Sequence, residues 1–247
     1  HTWLRRQRQM CIRDSTDTEV GKTQVATALL KALAREGHTT VAMKPVAAGC
    51  EKTAEGLRNE DALMLQAAAT VQLPYTQINP VALKEACAPH ISAAKEGRRL
   101  SLSRIEGLCR GMLMQRADIC VIEGAGGWRV PLNEREMLSS LPSILQAPCI
   151  LVVGVKLGCI NHALLAAEAI VRDGVPLIGW VANTLVGNPE RAEEIEANIA
   201  TLQGILPMPC LGVMPFVEGD SEKRVETMVE SFAMNALLKA LSLQKQS

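Results

Sequence analysis

Ser15-Thr16-Asp17-Thr18-Glu19-Val20-Gly21-Lys22-Thr23 runs straight into a helical pattern that extends to Glu36. Gly-Lys-Thr at a helix start leaves backbone N–H groups unpaired at the positive end of the helix dipole, which suits a bound phosphate. In that reading the Lys22 ammonium reaches the β and γ phosphates of a nucleotide, and the Thr23 hydroxyl is a Mg²⁺ ligand. The competing reading is an ordinary helix N-terminus, because Ser15 stands where such a loop usually opens with glycine.

The rest of the chain places this loop in a fold. Short apolar runs recur at 39–46, 118–124, 148–155, 176–183 and 210–215, and helical patterns separate them: Thr23 to Glu36, Asn59 to Ala69, Leu102 to Arg116, His162 to Asp173 and Pro189 to Leu206. Runs as continuously apolar as PCILVVGV (148–155) predict strands buried on both faces, hence a mostly parallel sheet. Alternation with helices predicts a single-domain, doubly wound α/β fold with helices on both faces of the sheet. Ligands in such folds bind beyond the carboxyl ends of the strands. No internal repeat or linker divides residues 15–247.

Composition excludes several function classes. The chain has 247 residues, of which 48% are hydrophobic and 21% charged, so it can bury a core and is not a disordered chain. Its 26 Lys plus Arg balance 26 Asp plus Glu, without the basic field of a nucleic-acid binder. Apolar runs such as Cys149 to Val153 are too short to span a bilayer. The eight cysteines contain no CxxC pair and several sit inside apolar runs, which predicts small buried thiols in a reducing cytoplasm. Residues 1–14 differ from the rest, with four arginines and one acid and no signal-peptide core, so they are expected to be a non-native-looking or disordered arm outside the domain. QMCIRD (9–14) is also a poor candidate for the apolar strand that a phosphate loop requires.

Five further segments carry chemistry. Glu123 ends the strand DICVIE beside Gly124-Ala125-Gly126-Gly127, where a metal ligand of a nucleotide enzyme belongs, or a capping carboxylate. Lys44 closes the run VAMK. It faces the same crevice as a second cation for anionic substrate, or it is a lysine at the rim. Asp61 begins a helical stretch and by itself reads as a partner of the helix dipole. Lys156 to His162 follows the strand CILVVGV and opens a second helix towards the crevice, a second place for an anion. Asn183, at the end of PLIGWVAN, suits either adenine recognition or a turn. His90 has no assignment.

Together these segments resemble the dethiobiotin synthetases. TDTEVGKT (16–23), KPVAAG (44–49), EGLRNEDAL (55–63), IEGAGGW (122–128), VVGVKLGCINHALL (152–165) and GWVANT (179–184) match that family in order, over about residues 15 to 217. The resemblance implies an ATP- and Mg²⁺-dependent cyclo-ligase that joins CO2 to 7,8-diaminononanoate through a carbamate and a carbamic-phosphoric anhydride. It implies Lys22 and Lys44 as catalytic cations and Thr23, Asp61 and Glu123 as metal ligands. Glu19, Val20, Gly21, Lys22, Thr23, Gly124, Ala125 and Gly126 would line the phosphates, and Asn183 and Pro215 would flank adenine. Thr18, Lys44 and Ala48 would contact the substrate. Its carboxylate would rest on Gly158, Cys159, Ile160 and Asn161 of a second subunit, which makes the working unit a cytoplasmic homodimer. Two departures stand out: many members carry a hydroxyl residue at Ala48, and Ser15 replaces a glycine, where a Cβ is expected to strain the loop. Three other readings compete with this one: a cobyrinic-acid-type amidating ligase, a partitioning-type nucleotide switch, and a catalytically impaired homologue.

Overall fold

Strand β1 (Gln9–Ser15) runs directly into the phosphate-loop segment, and helix α1 (Lys22–Arg35) leaves it. The computed structural model describes residues 9–17, 19–187 and 189–242. After α1 come β2 (Thr40–Met43), the short β3 (Val46–Ala47) and a hairpin of β4 (Glu51–Thr53) and β5 (Gly56–Arg58). Helices α2 (Glu60–Ala68) and α3 (Tyr75–Ile78), strand β6 (Val81–Ala82) and helices α4 (Pro89–Lys95) and α5 (Leu102–Leu113) lead to β7 (Ile119–Glu123). The second half comprises α6 (Ser140–Leu145), β8 (Cys149–Val155), α7 (Cys159–Arg172), β9 (Leu177–Thr184), α8 (Ala192–Ile205), β10 (Cys210–Met214), α9 (Ser221–Glu230) and α10 (Met234–Ser242).

Six strands form one parallel sheet in the order β10-β9-β8-β1-β7-β2. The chain winds from β1 out to β2, returns through β7, and then crosses to the other side of β1. The two directions of winding part at the centre of the sheet, so the crevice opens at the carboxyl ends of β1 and its neighbours.

Both faces are buried, as the apolar runs predict. Ile119, Val121, Ile150, Val152 and Val181 pack on one side with α1, α9 and α10. On the other side Cys120 and Ile122 pack with α5 and α6, and Cys149, Leu151, Val153 and Trp180 pack with α7 and α8. Helix α1 sits deep in this core, with Leu29, Leu30 and Leu33 fully buried. Truncating any of them to Ala would cost about 2–5 kcal/mol. Helix α10 also packs inward, since its Leu237, Ala240 and Leu241 join the core. Among the described residues no helix is long and apolar enough to cross a membrane.

The region set apart by its composition needs a different reading. Ile12 pairs with Ile122 of β7 on one side and Cys149 of β8 on the other, so residues 9–14 are backbone at the middle of the sheet. The expected boundary at residue 15 therefore falls inside a strand, and residues 1–8 lie outside the described residues. Strand pairing uses N–H and C=O groups that every residue but proline carries, so a weak apolar pattern does not prevent it. Ser15 is the last residue of β1, and the left-handed positions that follow it are Glu19 (φ 59°) and Gly21 (φ 76°).

Candidate active site

The P-loop segment turns on Gly21, which precedes α1 in a left-handed conformation. A Cβ at Gly21 would run into the amide of Asn183, so glycine is required there for space as well as for φ. Asn183, buried at the end of β9, donates from Nδ2 to the Val20 carbonyl at 2.9 Å and ties the loop to the sheet. Its Oδ1 is buried without a hydrogen-bond partner among the described residues. Glu19 holds φ 59° without being glycine, a strained geometry of the kind that collects at binding sites.

The two lysines converge on the end of β7. Lys22, 8% exposed at the start of α1, arches back so that Nζ donates to the Gly126 carbonyl at 2.7 Å and the Asp17 carbonyl at 3.1 Å. Lys44 follows β2, its backbone fixed by Ile78 and Asn79: its N–H donates to the Ile78 carbonyl and its carbonyl accepts from Asn79 Nδ2. The Lys44 ammonium is 2.6 Å from Glu123 Oε1 and 2.8 Å from Asp61 Oδ2. Thr23 Oγ1 donates to the same Glu123 Oε1 at 2.8 Å. Asp61 is delivered by the first turn of α2, which Asn59 caps by accepting from the Ala62 N–H. The lysine is therefore a buried member of the cluster and not a lysine at the rim.

This electrostatic arrangement keeps the pair ionised. Burial pushes the Lys44 ammonium towards neutrality, but the Glu123 and Asp61 carboxylates outweigh it and hold its pKa above the ordinary lysine value. Burial likewise opposes ionisation of Asp61, yet Lys44, the Thr23 hydroxyl and Lys22 bring its pKa below the usual carboxylate range. Two cations and two carboxylates cancel, so this cluster has no net charge of its own.

Mg²⁺ fits these residues. Glu123 Oε2 is buried with no hydrogen-bond partner among the described residues, which leaves a carboxylate oxygen in want of a cation. One hydroxyl and two carboxylates form an all-oxygen donor set that leaves positions for water and phosphate, as Mg²⁺ prefers. Among the described residues no cluster of three His, Cys, Asp or Glu offers a rival metal site.

A cavity of about 1020 Å³ opens over this cluster. Of the residues singled out in the sequence, Glu19, Gly21, Lys22, Thr23, Lys44, Ala48, Asp61, Glu123, Ala125, Gly126, Asn183 and Pro215 line it. Val20 is buried beside it, Gly124 lies between two lining residues, and Thr18 is outside the described residues. Gly158, Cys159, Ile160 and Asn161 are not part of this lining. They begin α7, where Gly158 takes φ 89°, the Cys159 side chain is buried and the Cys159 N–H donates to the Lys156 carbonyl. Sequence reading missed Arg129 and the Phe216, Arg224 and Met228 side of the cavity, which no local motif marks. The seven cysteines with described side chains are free, and burial pushes the Cys109 thiol up to about 12.

The chain is similar to known proteins over most of its length. The model of an AAA domain family matches residues 14–224. An ATP-dependent dethiobiotin synthetase BioD of Cellvibrio japonicus is 56% identical over 200 residues, covering 81% of this chain and 86% of that protein. Proteins of the same name from Marinobacter nauticus and Pseudomonas aeruginosa are 50% and 54% identical, covering 88% and 82% of this chain and 92% and 88% of theirs. Among solved structures, the septum site-determining protein MinD of Pyrococcus horikoshii with Mg-ADP aligns with a TM-score of 0.53 at 17% identity, over 96% of each chain. A ParA family ATPase of Chlorobium tepidum aligns at 0.51 and 14%, over 97% of this chain and 94% of that one. These likenesses speak for the P-loop NTPase fold alone. The sequence identity is far more specific, and by it the chain belongs to the ATP-dependent dethiobiotin synthetase family.

Proposed function

We propose that this enzyme carboxylates 7,8-diaminononanoate with CO2 and closes the ureido ring of dethiobiotin at the expense of ATP. The observation that carries the reading is the convergence of Lys22, Lys44, Thr23, Asp61 and Glu123 on one cavity beside the P-loop. One substrate amine captures CO2 as a carbamate and loses a proton. A carbamate oxygen then attacks the γ-phosphorus of ATP, the bond to the bridging oxygen breaks, and ADP leaves. The second amine attacks the carbonyl carbon of the mixed anhydride, the C–O bond to phosphate breaks, and a proton and inorganic phosphate depart. Both partners of the phosphoryl transfer are anionic, so the transfer needs fixed cations. Lys22 holds the β and γ oxygens, and Lys44, already buried among carboxylates, is held at the carbamate and the transferring group. Thr23, Asp61 and Glu123 would hold Mg²⁺, which supplies charge neutralisation of the triphosphate when bound.

The proposal extends to a cytoplasmic homodimer in which Gly158 to Asn161 serve the partner's cavity. Their position away from their own cavity, beside Leu157 at 89% exposure, supports that arrangement. Mostly buried free thiols suit a reducing compartment. One assay tests the reaction: ADP formation with and without diaminononanoate and bicarbonate. Turnover that requires both additions is the expected result. ATP hydrolysis indifferent to them would instead describe a nucleotide switch, and none under any condition an impaired homologue.

A further inference from the structure

Asp173 sits at the C-terminal end of α7, the negative end of the helix dipole. A carboxylate is poorly placed there on local grounds, so its reason is tertiary. Asp173 Oδ2 accepts from Trp128 Nε1 at 2.8 Å, Oδ1 accepts from Arg129 Nη2 at 2.7 Å, and Arg129 Nη1 lies 2.6 Å from Oδ2. Arg129 Nη1 also donates to the buried Ser139 hydroxyl at 3.2 Å. Trp128 is 4% exposed, and without Asp173 its indole N–H would lose this acceptor. One carboxylate thus grips two consecutive side chains from a distant segment.

The residues just before the grip are Gly124-Ala125-Gly126-Gly127, three glycines in four. Such a run has little conformational preference of its own and takes its shape from its two ends. Glu123 in β7 fixes one end, and the Trp128 and Arg129 contacts fix the other. Between them Gly126, at φ 66°, presents its carbonyl to Lys22 Nζ at 2.7 Å.

We infer that Asp173 is a positioning residue: by clamping Trp128 and Arg129 it holds the glycine loop in the geometry that aims Lys22 at the terminal phosphate of the nucleotide. This rests on the reading of Lys22 as the phosphate lysine. Losing the clamp would cost the γ-phosphate more than the β-phosphate, because the nucleotide has further contacts elsewhere in the cavity. The readout is therefore a ratio, the preference for a non-hydrolysable ATP analogue over ADP, measured by calorimetry with Mg²⁺ present. Asp173→Ala should reduce that preference about tenfold, since a shift of an ångström at such a site has large effects. Arg129→Ala should move it the same way, and the double variant no further than the larger single effect. Asp173→Asn keeps an acceptor for Trp128 while facing Arg129 with a second donor, and should fall between parent and Asp173→Ala.

A role confined to fold stability would lower the melting temperature and leave the ratio within twofold of the parent. That result in a folded variant overturns the inference. If Asp173→Ala does not fold, Asp173→Asn and Arg129→Ala decide by the same ratio. A parent that binds neither nucleotide would sink the P-loop reading and the clamp with it. A parent that binds both, with an unchanged ratio in the variants, would sink the clamp alone.

Discussion

Replacing Glu123 by Gln removes the charge that holds Lys44 in the interior while nearly preserving shape. Glu123 is 1% exposed and Lys44 6%, and their charged atoms are 2.6 Å apart. Removing one partner of a buried pair strands the other and costs about 3–5 kcal/mol. Here Asp61, 2.8 Å away and half-exposed, still neutralises Lys44 in part, which places the loss near the lower end, about 3 kcal/mol. In a domain of this size each kcal/mol moves the melting temperature by about 2–4 °C, so Glu123→Gln should melt about 6–12 °C below the parent. Calorimetry in EDTA without nucleotide isolates folding from ligand linkage. Lys31→Ala, which removes a partly exposed pair with Glu226, is the control and should shift the midpoint by no more than about 2 °C. Glu123→Gln combined with Lys44→Met removes the stranded charge as well and should regain part of the loss. A Glu123→Gln midpoint within 2 °C of the parent, or a double variant less stable than the sum of the singles, would refute the account of a mutually neutralised cluster.

Lys22→Ala should lower kcat by about 10²–10³, because the β and γ phosphates lose their cation in the transition state; a variant above half the parent rate contradicts the P-loop assignment. Asp61 has a depressed folded pKa, so its stabilisation is present above its unfolded pKa and vanishes as pH falls through the folded one. The urea midpoints of parent and Asp61→Asn should therefore differ at pH 7 and converge below about pH 3.9; a gap independent of pH would mean that the charge contributes nothing. Mixing Lys22→Ala with Gly158→Glu chains should restore up to about a quarter of the parent activity in co-refolded dimers, since one site in each mixed dimer inherits neither lesion. Confirmed mixed dimers as inactive as either parent variant would place the carboxylate site within one chain.

The sequence by itself determined the parts whose signal is local. Continuous apolar runs such as 148–155 specify strands covered on both faces, because a parallel strand has no solvent side to mark with polar residues. Gly21-Lys22-Thr23 specifies a phosphate-ready helix start, because the groups that bind are the helix's own first N–H groups. Glu123 at a strand end and Lys44 after another were legible for the same reason: strand ends in such folds face the crevice. Local composition misled at β1, where QMCIRD looks unfit for a core strand yet pairs on both sides, since backbone hydrogen bonds are indifferent to side chains. Ser15 ends that strand, and left-handed positions follow it at Glu19 and Gly21. Only the tertiary structure decided that Lys44 stands between Asp61 and Glu123, that Asn183 holds the P-loop through Val20, and that Asp173 grips Trp128 and Arg129. Each of these contacts joins residues from separate elements, brought together by how the strands are ordered and how the helices pack. A linear pattern records the period of an element, but not which neighbour its side chains will meet.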